Sequence, residues 1–159
     1  MSTEIDLPIQ EKLDRAKNSS KLNRLEQLMQ AGYPPVFPEV THHFTKGDGV
    51  NGKMYIRTIL MKKGIIVTSR IHMWEHPFFV MTGAMTWFNE VEGMDGAVHI
   101  KAPYFGITKP GTRRAILIHE DVLMTACYAT DLESVAEIER TIIFPHEIPE
   151  NTFEKSLSV

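Results

Sequence analysis

The sequence predicts an all-β domain, a sandwich or a barrel, with a helical arm in front and a helix behind. Three observations carry this expectation. Between Glu39 and Tyr128 the apolar residues fall in short runs rich in Ile, Val, Tyr and Phe, about nine in all. Turn clusters separate those runs: Lys46-Gly47-Asp48-Gly49, Asn51-Gly52 and Lys109-Pro110-Gly111-Thr112. Helical spacing occurs only outside the region, at Leu22, Leu25, Leu28 and Met29 and again at Leu132, Val135 and Ile138.

The elements follow in order. Residues 1–8 show no pattern, and a short helix is expected over Ile9 to Lys17. Ser19 or Ser20 caps a second helix, because a hydroxyl oxygen there accepts from a first-turn amide. Gly32 marks its end. Tyr33-Pro34-Pro35-Val36-Phe37-Pro38 reads as an extended connector, since proline brings no amide donor. Strands are expected over Val40–Phe44, Met54–Met61, Ile65–Ile71, Phe78–Thr82, Ala84–Asn89, Val98–Lys101, Tyr104–Ile107, Ala115–His119 and Val122–Tyr128. Gly83 is read as a turn, Glu92-Gly93-Met94-Asp95-Gly96 as a hairpin loop, and His119-Glu120-Asp121 as a polar turn between the last two strands. Thr130 or Asp131 caps a terminal helix that runs to Arg140, and a tail follows from Pro145. The expected division is an arm over 1–38, a barrel over 39–130 and a helix with tail over 131–159.

Composition narrows the function classes. The chain has 159 residues, 43% hydrophobic and 23% charged, an ordinary balance for one globular domain. A net charge of −3 provides no electrostatic footprint for nucleic acid. No apolar run approaches the ~20 residues that span a bilayer. The opening MSTEIDLPIQ lacks an apolar signal core, so a cytoplasmic location is expected. Cys127 is the only cysteine, which excludes an internal disulfide and a thiolate zinc cluster. It lies in an apolar strand, where an inert thiol is expected. His42-His43 reads as a strand pair, one facing in and one out.

The stretch GIIVTSRIHMWEHPFFVMTG, from Gly64 to Gly83, places two histidines in an elbow between strands. Its spacing is Gly64, five residues, Arg70, Ile71, His72, three residues, His76, six residues, Gly83. This resembles the first motif of the cupin superfamily, with Arg70 at the first histidine position and His76 at the glutamate position. The second cupin motif keeps Gly111. Pro103 takes its first glycine position, Lys109 its proline, Arg114 its histidine and Ile118 its asparagine. HPFFVMTG and KPGTRRAILIHED are also similar to segments of small cupin-like proteins of tailed phages. The resemblance implies a double-stranded β-helix, or jelly roll, with a ligand pocket inside. It implies a homodimer, with exchange of the apolar arm between subunits, and, in the family's ordinary form, a divalent metal held by three histidines and a glutamate. Family members include dioxygenases, isomerases, epimerases, decarboxylases and plain binding proteins.

The four metal positions become Arg70, His72, His76 and Arg114. Guanidinium has no lone pair to donate and stays charged, so two of the four cannot be ligands. The set reads instead as a cationic pocket for an anionic or polar small molecule such as a phosphate, carboxylate, nucleotide or sugar phosphate, with no cofactor. Tyr55, Arg57 and His119 join the ligand-binding set, and Tyr55, Tyr104 and Tyr128 are available as acids. Two alternatives stay open. One is an enzyme: a metal-free isomerase or epimerase, or an oxygenase or lyase whose His72 and His76 hold iron, zinc or manganese with Glu75, His119 or Glu120. The other is a phage accessory protein whose barrel is filled and does no chemistry.

Overall fold

The computed structural model describes residues 8–32, 36–48, 51–89, 97–144 and 156–158. Two helices lead, α1 (Ile9–Lys17) and α2 (Ser20–Gly32). The strands β1 (Glu39–Phe44), β2 (Met54–Met61), β3 (Ile65–Thr68), β4 (Ile71–His72), β5 (His76–Asn89), β6 (Val98–Lys101), β7 (Tyr104–Thr108) and β8 (Arg114–Ala129) follow. After them come α3 (Val135–Thr141), β9 (Ile143–Phe144) and β10 (Ser156–Ser158). Residues 1–7, the connector residues 33–35, the expected hairpin loop at 92–96 and residues 145–155 lie outside the described set. Among the described residues no helix is long and apolar enough to cross a membrane.

Every strand pairing is antiparallel, and β5 and β8 organise them. The order β1-β2-β8-β3-β10 forms one path, and β5 joins it through β8 while carrying β6 and β7. β8 pairs β3 through Ala115–Leu117 and β2 through Val122–Ala129. β5 pairs β7 through His76–Val80 and β6 through Ala84–Trp87. Each long strand therefore belongs to two walls and bends between them.

The bend corrects two sequence expectations. Gly83 is no turn between strands, and His119-Glu120-Asp121 is no break: β5 and β8 run continuously through both places. Their pairing slips between Val80 and Met85, a series of bulges that sharpens the local twist. The slip changes which residues face inward. His76, Phe78 and Val80 are buried before it, Met85 and Trp87 after it. A period-two strand cannot make that change without an inserted residue. Gly83 has φ +83°, and a Cβ there would run into the carbonyl oxygen of Asp121 on the facing strand. The close approach of the two backbones, rather than a reversal, is what requires glycine. The expected strand Ile65–Ile71 in turn divides into β3 and β4 around Ser69 and Arg70.

The barrel core is Ile59, Met61, Ile65, Val67, Phe78, Val80, Met85, Trp87, Ile100, Ile116, Ile118 and Val122. A second cluster seats α3, with Ile138 and Ile142 against Tyr55 and Tyr128. α3 starts later than expected. Its cap is Ser134, whose Oγ accepts the Glu137 amide and donates to the Glu137 carboxylate. Neither Thr130 nor Asp131 fills that place, because the Ser134–Glu137 pair satisfies two groups reciprocally.

The leading helices pack on the barrel. Leu13 and Ala16 of α1 meet Ile71 of β4. Ser19 Oγ accepts from the Leu22 amide and caps α2. Leu22 and Met29 are buried, but Leu28 is 53% exposed, so the expected stripe is narrower than its spacing. Arg113, immediately before β8, is fully buried. Its guanidinium lies 2.8 Å from the Glu26 carboxylate, 2.7 Å from Asn23 Oδ1 and 3.1 Å from the Ala16 carbonyl. One side chain thus joins both helices to the wall.

Candidate functional site

Because β5 and β8 bend, both ends of each strand return to one end of the barrel. Inward residues near those ends face a common cavity. Arg57 of β2, His72 of β4, His76 of β5, and Arg114 and Tyr128 of β8 all line it, with Ser69 and Thr108. Deeper lie Ile59, Met61, Val67, Phe78, Trp87, Ile116, Met124 and Ala126. The space measures about 630 Å³ out to its open mouth. None of these lining residues is a carboxylate.

Each polar group is held in place. The Arg114 guanidinium stacks 4.4 Å from the Trp87 ring centre and 5.3 Å from that of Phe78. It also donates to Thr108 Oγ1 at 3.3 Å. The Arg114 amide donates to Ser69 Oγ at 2.8 Å, which fixes the wall behind it. His76 Nδ1 lies 2.9 Å from the Trp74 carbonyl. A carbonyl only accepts, so Nδ1 carries the proton and the neutral ring keeps its lone pair on Nε2. The His76 ring stacks on Tyr128 at 4.1 Å and lies 4.8 Å from the His72 ring. Tyr128 Oη is 3.5 Å from His72 Nδ1.

Both histidines are neutral at pH 7. Burial pushes the His72 pKa well below the ordinary imidazole value, and His76, Arg114 and Arg57 push it the same way. Burial also dominates at His76. The bond to the Trp74 carbonyl opposes it, Arg114 adds to it, and the pKa falls to about 4. A cation in a low-dielectric wall disfavours a second one nearby.

Four of the residues singled out in the sequence meet at the cavity: Arg57, His72, His76 and Arg114. Three do not. Arg70 sits half-buried in the link between β3 and β4 and is not among the lining residues. Tyr55 is buried beneath them, its hydroxyl 2.6 Å from His42 Nδ1 and its ring stacked on Tyr128. His119 is exposed at the bend, within β8 and away from both of its ends, where its Nε2 is 2.6 Å from Thr86 Oγ1. Arg70 lies off the cavity because Val67 and Ser69 face it, and strand alternation turns residue 70 the other way. His119 fails because β8 continues instead of turning back.

His42 and His43 are both exposed on the edge strand, so neither is the inward, buried member of the expected pair. Cys127 is half-buried, and burial raises its thiol pKa. Ser69 and Thr108 could have been found only by knowing which strand ends converge. The place of Trp87 over a guanidinium was not readable in the sequence.

A divalent metal does not fit these residues. The described lining residues offer two imidazoles beside two guanidiniums and no carboxylate. Glu75, a proposed third ligand, is exposed and pairs with Lys109 at 2.9 Å. His119 and Glu120 stand at the bend. Among the described residues no group of three or more His, Cys, Asp or Glu is placed to hold a metal ion.

No protein-family model matches the sequence, and no curated protein matches it either. Solved structures do resemble the fold. An oxalate decarboxylase variant from B. subtilis aligns with a TM-score of 0.53 at 10% identity, over 70% of this chain and 29% of that one. The oxalate decarboxylase of Lactobacillus farciminis aligns with 0.49 at 11%, over 65% and 32%. A cupin superfamily protein from Desulfitobacterium hafniense aligns with 0.44 at 11%, over 58% and 79%. This chain thus spans about a third or less of the two decarboxylases. At such identities the likeness is one of fold alone: an antiparallel, sheet-rich barrel.

Proposed function

We propose that the barrel cavity binds an anionic or polar small molecule, gripped by Arg57 and Arg114, with the neutral His72 and His76 as hydrogen-bonding partners. One observation carries this reading: two guanidiniums and two imidazoles converge on one cavity. Converging guanidiniums are complementary to an anion, and a planar guanidinium grips carboxylate or phosphate through two parallel bonds. The cavity also weighs against a barrel that is merely filled.

Calorimetric titration with phosphate, simple carboxylates, sugar phosphates and nucleotides tests it, comparing the wild type with Arg114→Gln. A charged hydrogen bond contributes about 1.5–3 kcal/mol, so the variant should bind at least about tenfold more weakly. Equal binding by both proteins to every anion would remove Arg114 from the site and end the proposal.

A second reading, a metal-free acid–base enzyme, draws on the His76 tautomer. A neutral imidazole with Nδ1 committed to the Trp74 carbonyl keeps a basic Nε2, and Tyr128 lies against it as an acid. Turnover of any bound sugar phosphate or carboxylate that disappears in His76→Gln, with binding retained, separates catalysis from binding.

A further inference from the structure

The helical arm and the outer sheet face both carry apolar side chains, and only the arm has buried them. Leu13 and Ala16 meet Ile71, and Arg113 ties α2 to the same barrel. The outer face of the wall β7-β5-β8-β2 is exposed. Side chains alternate along its strands. Phe78 and Val80 point to the core, so Phe79 and Met81 point out. Phe79 stands opposite Phe105 of β7, their ring centres 6.3 Å apart, and Pro77 stands opposite Ile107. On its other side Phe79 faces Thr125 of β8, which stands opposite Thr58 of β2. Cys127 with Ile56 continues the face in one direction, Leu123 with Leu60 in the other.

None of these outward residues carries a formal charge. The two hydroxyls among them are already paired. Thr125 Oγ1 donates to Met81 Sδ at 3.5 Å, and Thr58 Oγ1 lies 3.0 Å from Thr125 Oγ1, which accepts its proton. The face can therefore lose its water without stranding a side-chain donor. Charge starts at the rim: Glu39 of β1 stands opposite Leu60, and the Lys62–Asp121 pair lies two residues beyond Leu60 and Leu123. An apolar centre with a charged rim is how protein interfaces are built.

The exposed area matches one class of partner. Phe105 is 68% exposed, Met81 55%, Ile107 45% and Phe79 42%. At roughly 200 Å² of accessible surface for residues of this size, these four present on the order of 400 Å². Their half-buried neighbours extend the patch towards the ~800 Å² that each partner contributes to a standard interface. An acidic or basic partner finds no counter-charge at the centre. A neutral face meets its own copy without like-charge repulsion, and two-fold symmetry places the same patch on both sides.

We propose that two copies of this chain pack face to face through the outer side of β7, β5, β8 and β2, with Phe79, Met81, Phe105 and Ile107 at the centre. The interface uses the opposite side of strands that line the cavity, so it does not depend on what the cavity binds. It also differs from an exchange of arms, because each arm stays on its own barrel.

Sedimentation equilibrium of the full chain, from micromolar to millimolar concentration, tests it. The wild type should reach twice the chain mass. Phe105→Glu, at the most exposed of the four positions, should weaken the dimer at least about thirtyfold, as loss of a central anchor does. Leu28→Glu, on the exposed side of α2, should leave the dimer unchanged. A second measurement needs no variant. Cys127 is the only thiol and stands on this face, so an uncharged thiol reagent should label it several times more slowly in concentrated than in dilute protein. If Phe105→Glu fails to fold, that labelling decides. A wild type that stays monomeric to millimolar concentration overturns the proposal. So does a dimer that tolerates a folded Phe105→Glu, or one whose formation leaves Cys127 labelling unchanged. A dimer that dissociates in Leu28→Glu but not in Phe105→Glu assigns the interface to the arm instead and overturns it as well.

Discussion

His76 is 3% exposed, its Nδ1 is committed to the Trp74 carbonyl, and its pKa lies near 4 instead of 6.5. Between those two values the unfolded chain holds more protons than the native one, so stability rises with pH through this window. It is fully present above about pH 6.5 and is lost as pH falls through the folded value, by about 3 kcal/mol for this one group. His72 is shifted in the same direction and adds to the slope. The melting temperature should therefore drop between pH 6.5 and 4.5, and His76→Gln should make the drop shallower. A flat profile over that range would mean that the rings are not buried neutral. Ligand binding acts on the same groups with the opposite sign. An anion beside the imidazoles raises their pKa values, so binding should take up protons. Titrations in two buffers of different ionisation enthalpy measure that uptake directly.

The leading helices and the long strands differ in what fixes them. α1 and α2 are attached through apolar contacts and through the fully buried Arg113. Removing its carboxylate partner with Glu26→Ala leaves a buried guanidinium without its counter-charge, a loss of about 3–5 kcal/mol. Adding Arg113→Met to that variant should recover much of the loss, because the uncompensated charge is gone. Urea unfolding of the two variants measures both, and a Glu26→Ala cost under about 1 kcal/mol would show that the helices are peripheral to stability. In β5 the sensitive point is Gly83. Gly83→Ala forces a Cβ against the Asp121 carbonyl at positive φ, and a cost of about 1–3 kcal/mol is expected in the same assay.

At the scale of the whole barrel, function separates into two ends. The mouth gathers Arg57, His72, His76, Arg114 and Tyr128. The bend carries His119, Glu120 and Asp121, with Asp121 paired to Lys62 on the surface. His119→Ala should leave ligand affinity unchanged, whereas Arg57→Gln should lower it at least about tenfold. Saturating ligand should raise the melting temperature, since binding at a hundred times the dissociation constant adds about 2.7 kcal/mol to stability. A loss of affinity in His119→Ala as large as that in Arg57→Gln would contradict the separation of the ends.

Much of this was legible in the chain. The period-two apolar runs and the turn clusters determine the β class, and the strand Met54–Met61 has the bounds its sequence implies. The loss of metal ligands at Arg70 and Arg114 was readable too, because it depends only on what a side chain can donate. Other features required the tertiary structure. Neighbouring arginines, Arg113 and Arg114, look alike in sequence, yet one is buried against helix α2 and the other lines the cavity. Strand alternation sends them to opposite faces, and only packing says what waits on each. Arg70 and His119 carry suitable chemistry but lie outside the cavity, because alternation after Val67 and Ser69 turns residue 70 away and β8 bends where a turn was expected. Local sequence determines which residues alternate. Where two strands bend determines which of their ends meet, and that depends on contacts between segments far apart in the chain.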